Sequence, residues 1–160
     1  MRALTLAVAA ALTFCVASAA RAAEAQPTRD YISAAEVAAL EAKAKAERKD
    51  GQANVIQRLL TLAPYAANLE YRASIGPAAV HEKEAELFYV VDGSATLVTG
   101  GKLTGETRPN PTNLSGTGIE GGAPRKVSKG DMFIVPENTP HWFSAIDGVV
   151  VLMSLHVPRG

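Results

Sequence analysis

From position 54 onward the apolar residues fall into short alternating or continuous runs, a period of two that belongs to strands rather than helices. The runs at 55–62, 69–75, 85–91, 95–99, 126–128, 132–135, 142–145 and 149–157 are predicted as strands. Asp92-Gly93, Gly100-Gly101, Lys129-Gly130 and Asp147-Gly148 are expected at turns between them. The two Asp-Gly pairs tolerate the positive φ of tight hairpins. Many short strands with regular turns predict an all-β sandwich or barrel. With no internal repeat, the pattern fits a single barrel over residues 54–160.

Within the run that begins at Glu86, residues Glu86, Phe88 and Val90 share one face, and Leu87, Tyr89 and Val91 share the other. Both faces are apolar, so the strand is expected to be covered on both sides. The run from Val149 to Leu155 behaves alike. The outer cover is the N-terminal helix, a second sheet or another copy of the chain, and a homodimer is the favoured expectation.

Ahead of the barrel, residues 23–53 form a leader and one helix. Ser33-Ala34-Ala35-Glu36 matches a capping box, a helical pattern continues to about Arg48, and Asp50-Gly51 stops it. Its apolar stripe is thin, which places it on the outside of the domain or on a partner subunit and gives it no chemistry. The segment 100–124 is rich in Gly, Pro, Thr and Asn and is expected to be a folded-over loop, either a rim or lid of the pocket or an exposed ordered loop without function.

The first 22 residues are set apart from the fold. A positive start at Met1-Arg2, an apolar run from Leu4 to Ala20 and the small-x-small site Ala20-Arg21-Ala22 describe a secretory signal peptide. The run is too short for a membrane span, and export to the periplasm or medium is expected. Cys15, the single cysteine, lies inside it, so the mature domain has no disulfide. The 16 basic and 16 acidic residues balance, and removing Arg2 and Arg21 leaves a mildly acidic chain without a basic cluster. Nucleic acid is therefore not an expected partner.

Two of the three histidines sit in segments with a recognisable layout. His81 is followed by Glu86 and Gly93, and about fifty residues later Gly130, Pro136 and His141 appear in sequence. These segments resemble the two conserved motifs of the cupin family. Ala79 stands at the position of the family's first motif histidine, Asn138 replaces an expected glycine, and Ala145 an expected asparagine. The resemblance covers about residues 70–157. It implies a double-stranded β-helix, the cupin jelly-roll barrel, here with a short N-terminal α-helix.

The same resemblance implies a metal site of His81, Glu86 and His141. Two imidazoles and one carboxylate suit non-haem Fe(II), the favoured ion, and manganese, zinc, nickel or copper fit the same donors. Loss of metal along with the histidine at Ala79 is the alternative, with His81 and His141 as polar lining. His156, near the C-terminus, is expected at the surface or in a subunit contact rather than as a fourth ligand. Glu82 and Glu84 flank His81 and read as a solvated strand edge rather than as ligands or a general base.

Parity places Phe88 and Phe143 inside, near the metal, and Trp142 outward toward an interface. Tyr65, Tyr71 and Arg72 are candidate contacts for a ligand's polar groups. No catalytic residue is singled out and no organic cofactor is implied. Two functions follow: an exported metal-dependent enzyme, oxygenase-like, acting on a small oxygen-bearing organic molecule, or a non-enzymatic small-ligand-binding cupin, with or without metal.

Overall fold

The computed structural model describes residues 27–159, so the expected signal peptide lies outside the described residues. Helix α1 (Ala34–Glu47) is followed by strands β1 (Asn54–Leu62), β2 (Tyr65–Arg72), β3 (Ala78–His81), β4 (Glu84–Thr99), β5 (Lys102–Thr104), β6 (Thr107–Asn110), β7 (Asn113–Gly116), β8 (Gly118–Glu120), β9 (Ala123–Ser128), β10 (Met132–Val135) and β11 (His141–Pro158). Every pairing is antiparallel. The chain is an all-β double-stranded β-helix with one short helix.

Two long strands organise the barrel. Strand β11 pairs with β2, β3 and β4, and β4 in turn pairs with β9 and β10. Both change face midway. On β4 the buried side passes from Glu86, Phe88 and Val90 to Ala95 and Leu97; on β11 it passes from His141 and Phe143 to Val150, Leu152 and Ser154. Register shifts between Phe143 and Ala145, Ile146 and Val150, and Val151 and Leu152 absorb the change, as bulges do where a strand bends between sheets. The Asp92-Gly93 and Asp147-Gly148 pairs thus lie inside continuous strands, where hairpins separating shorter strands were predicted. Gly93 does have positive φ, +79°. Its role is to let β4 bend against the backbone of β11.

The segment 100–124 also departs from the loop expectation. It contains β5 to β8 and the start of β9, and β7 pairs with β3 through His81 opposite Asn113. These strands are short and mostly polar, with β6 wholly exposed, so they carry no apolar period to mark them. Their pairing partners define them instead.

Phe88, Val90, Leu97, Val127, Phe143, Val150 and Leu152 fill the barrel interior. A second cluster lies outside, where Ala44, Val55, Leu59, Leu69, Tyr71 and Val151 are joined by Val37, Leu40 and Val91 beneath α1. Burying each large apolar side chain there contributes about 1.5–3 kcal/mol. The helix is therefore the cover for this part of the outer face. Its capping box is formed as expected, with Ser33 Oγ accepting from the Glu36 amide and the Glu36 carboxylate accepting from the Ser33 amide. The Ser33 amide and hydroxyl, both donating to it, and the Arg29 cation 2.6 Å away hold the Glu36 carboxyl below its usual range.

Candidate metal centre

Three imidazoles surround one buried carboxylate. Glu86 points inward from β4, 4% exposed, and two strands, β3 and β11, bring three histidines to it. His81 Nε2, at the end of β3, lies 3.2 Å from Glu86 Oε2, and His141 Nε2, at the start of β11, lies 3.3 Å from the same oxygen. His156 Nε2 lies 3.4 Å from Oε1. Ligand atoms of His81, Glu86 and His156 fall within 4.8 Å of one another. His141 joins them through Glu86, and its ring centroid stands 5.2 Å from that of His81.

His156 is thus not the surface residue expected from the sequence. The β4–β11 register sets it directly opposite Glu86, and its side chain is 21% exposed. Ala79, at the missing histidine's position, pairs with His141 and lines the same cavity. A histidine from the far end of β11 therefore brings the imidazoles around Glu86 back to three.

The outer nitrogens settle which ring nitrogen is free. A carbonyl oxygen can only accept, so His141 Nδ1 carries the hydrogen donated to Thr139 O at 3.1 Å. His81 Nδ1 donates to Asn113 Oδ1 at 2.9 Å. With Nδ1 carrying a hydrogen, each Nε2 meets Glu86 either as a lone pair or, once protonated, as a donor. A carboxylate offers only acceptors, so lone pairs gathered around it call for a proton or a cation between them. His156 Nδ1 approaches Glu84 Oε1 at 2.8 Å, but at an angle that leaves it without a hydrogen bond. Glu84 is therefore a neighbour of the cluster rather than a solvated edge.

Burial pulls the His81 pKa down, but its bonds to Glu86 and Asn113 outweigh that and raise it above the ordinary value. Burial pushes Glu86 up, yet the bonds from His141 and His81 dominate and hold it well below the carboxylate range. Both shifts favour a carboxylate that faces positive charge.

The imidazole–carboxylate spacings suit a transition ion, and the ligand atoms of His81, Glu86 and His156 lie close enough to share one. Bonds of about 2.1 Å place neighbouring donors about 3.0–3.4 Å apart in octahedral and tetrahedral shells. The 3.2–3.4 Å imidazole–carboxylate separations lie in that range.

The walls are as parity predicted in part. Phe88 and Phe143 are buried beside the site, with the Phe88 and His141 centroids 6.3 Å apart. Trp142 turns away but is covered by its own chain, donating from Nε1 to Gly76 O at 2.9 Å and lying over Gly118. Of the three candidate ligand contacts, Arg72 lines the cavity, Tyr71 packs beneath α1, and Tyr65 is exposed. Glu82 is engaged by Arg108 at 2.6 and 2.9 Å, which lowers its pKa. The cavity above the cluster has a volume of about 400 Å³ and is lined by all three histidines, Glu86, Glu70, Arg72, Asn54 and Asn68.

An antiparallel β-helix with imidazole and carboxylate groups gathered at a cavity is the architecture of a small-molecule or metal-binding barrel protein. The cupin family model matches residues 50–158, and the chain belongs to that family. Solved structures share the fold at low identity. KdgF from Halomonas sp. is 18% identical, with a TM-score of 0.50 over 71% of this chain and 87% of its own. The Fe(II) form of HppE is 16% identical, with a TM-score of 0.52 over 68% of this chain and 53% of its own. A Klebsiella pneumoniae protein with a double-stranded β-helix domain is 14% identical, with a TM-score of 0.50 over 69% and 82%. Comparison with curated proteins finds no match.

If His156 is a ligand, His156→Ala is expected to weaken metal binding about ten- to a hundredfold. Competition against a chromogenic chelator measures this. Unchanged affinity would return His156 to a structural role.

Proposed function

We propose that this cupin is an exported metal-dependent enzyme acting on a small oxygen-bearing organic molecule. Its donors are His81, Glu86 and His141, with His156 beside them. The observation that carries the reading is the convergence of oriented Nε2 atoms on one buried carboxylate. Fe(II) is the favoured ion, since two imidazoles and a carboxylate leave open positions; HppE, a structural relative, is described with Fe(II) and with Co(II). Manganese, zinc, nickel and copper fit the same atoms.

A bound ion of this kind supplies Lewis acidity and, as Fe(II), a place for dioxygen. The chain's own residues do the rest. Asn113 and Thr139 hold two imidazoles by their Nδ1 hydrogens, so the rings meet the ion without reorientation. Glu86 offsets part of the positive charge. Phe88 and Phe143 keep water from the inner side of the cluster and strengthen its electrostatics.

Elemental analysis of untagged protein purified without oxygen tests this. About one transition ion per chain is expected, with turnover lost at least tenfold in His141→Ala while the fold remains. The second reading, a non-enzymatic ligand binder, is favoured by the methyl group of Ala79 at the cavity wall. It predicts ligand capture without turnover. Export is part of the proposal and rests on the apolar run after Arg2; N-terminal sequencing of periplasmic material should begin near residue 23.

We also propose a homodimer through β10. Among the described residues β10 pairs with β4 alone, and its outward Met132 and Ile134 are 65% and 58% exposed beside Tyr89. An open, apolar edge strand is self-complementary about a two-fold axis, so a second copy can extend the sheet and cover these side chains. Ile134→Glu should shift light-scattering mass from dimer to monomer. A monomeric wild type would sink the proposal.

A further inference from the structure

On the cavity wall made by β1 and β2, Glu70 is 3% exposed and both of its oxygens are engaged. Ser154 Oγ donates to Oε1 at 2.7 Å, while Arg72 Nε at 2.7 Å, Arg72 Nη2 at 2.6 Å and Asn54 Nδ2 at 3.3 Å reach Oε2. Glu70 is thus a fixed post rather than a contact for a ligand. It clamps Arg72 by one edge, and the Arg72 guanidinium lies over the Phe143 ring at 4.8 Å. Among the described residues the other edge, at Nη1, has no acceptor, and it belongs to a side chain lining the cavity. A guanidinium held by one edge with the other open is preorganised for a planar anion.

Two carbonyl oxygens on the same wall lack donors. Asn54 Oδ1 and Asn68 Oδ1 are buried without a hydrogen-bond partner among the described residues, and Asn68 as a whole is only 7% exposed. The Asn54 amide cannot turn round to correct this, because its nitrogen is held by Glu70. Buried acceptors of this kind are normally satisfied, so these two ask for hydroxyl or N–H groups from an occupant. Asn68 is paired with Ser154, which is paired with Phe88, one inward position along from the His156–Glu86 pair. Two residues along a strand span about 7 Å, within reach of one small molecule lying between that wall and the imidazoles. With a divalent ion present, two carboxylates and one guanidinium leave the cavity one positive charge in excess.

We propose that Asn54, Asn68 and Arg72 form a subsite for a small hydroxylated carboxylate, with Arg72 taking the carboxylate and the asparagine carbonyls taking hydroxyl donors. The proposal names the substrate class of the cavity described under Proposed function and rests on that reading for the position of the metal. No bond changes are assigned to the subsite itself.

Isothermal titration of the full mature chain tests it, with glycerate and gluconate as probes against hexanoate, which lacks the hydroxyls, and sorbitol, which lacks the charge. At least one hydroxy acid should bind tenfold or more tighter than both controls. Asn68→Leu should erase the preference over hexanoate while the melting temperature holds or rises, since it removes an unsatisfied acceptor. Arg72→Gln should erase the preference over sorbitol, and Arg72→Lys should restore part of it. Equal binding of all probes, or an unchanged hydroxy-acid Kd in Asn68→Leu, would overturn the subsite; Asn68→Leu keeps the test open should Arg72→Gln misfold. Metal content is read on the same samples. Selective acid binding by protein that never holds metal sinks the metal reading alone, and metal-loaded protein without selectivity sinks the subsite alone.

Discussion

Glu86→Gln is expected to lower affinity for divalent transition ions at least about a hundredfold, more than loss of any single histidine. The reason is topological. Each imidazole nitrogen approaches this carboxylate, at 3.2, 3.3 and 3.4 Å, whereas the His81 ring centroid stands 5.2 and 5.0 Å from those of His141 and His156. Glutamine keeps the shape but removes the charge that offsets the ion, and its amide nitrogen presents hydrogens where a lone pair is needed. The same amide can donate to one Nε2, so the metal-free fold should survive, and circular dichroism should match wild type. Elemental analysis after dialysis, with chelator competition for the affinity, reads the effect. A full equivalent of metal retained by Glu86→Gln would remove Glu86 from the ligand set and with it the reading of the site.

Gly93→Ala is expected to be the most damaging single methyl in the barrel. Its added Cβ would stand 2.0 Å from the Val149 carbonyl oxygen, a backbone atom that cannot move aside by rotation. The φ of +79° adds the strain of a left-handed conformation for an L-residue. Backbone strain and overpacking each cost about 1–3 kcal/mol, so a loss of several kcal/mol is expected. In a domain of this size that lowers Tm by about 10 °C or more. Calorimetry measures it, and a shift below about 3 °C would show that β4 does not need this bend. Because Glu86 and Ala95 lie on either side of the bend, partial unfolding there should also loosen metal binding.

The histidine–glutamate cluster divides cleanly into what local pattern could reveal and what it could not. His81, Glu86 and His141 are legible from spacing, because each sits in a segment with its own glycine or proline landmarks. His156 has no such landmark. It stands fifteen positions after His141, an odd separation that on a regular strand would send the two rings to opposite faces. The register shifts along β11 reverse the phase between them, and bulges of that kind leave little trace in composition. Arg72 was visible as a candidate without a direction. Only the clamp from Glu70, a buried residue with no motif, shows where its open edge lies. The segment 100–124 hid its strands for a related reason: with both faces polar, period two leaves no apolar mark.

By itself the sequence determined the strand-rich class, the capped helix, the positive-φ glycine at position 93 and three of the four residues that meet around Glu86, itself among them, since these depend on residue type and short-range period. Which strands pair, in which register, and therefore that His156 meets Glu86 and that Arg72 faces the cavity, was decided by the tertiary structure. The physical reason is that a one-residue shift exchanges the two faces of a strand at little local cost, so only the packing of the whole barrel selects between them.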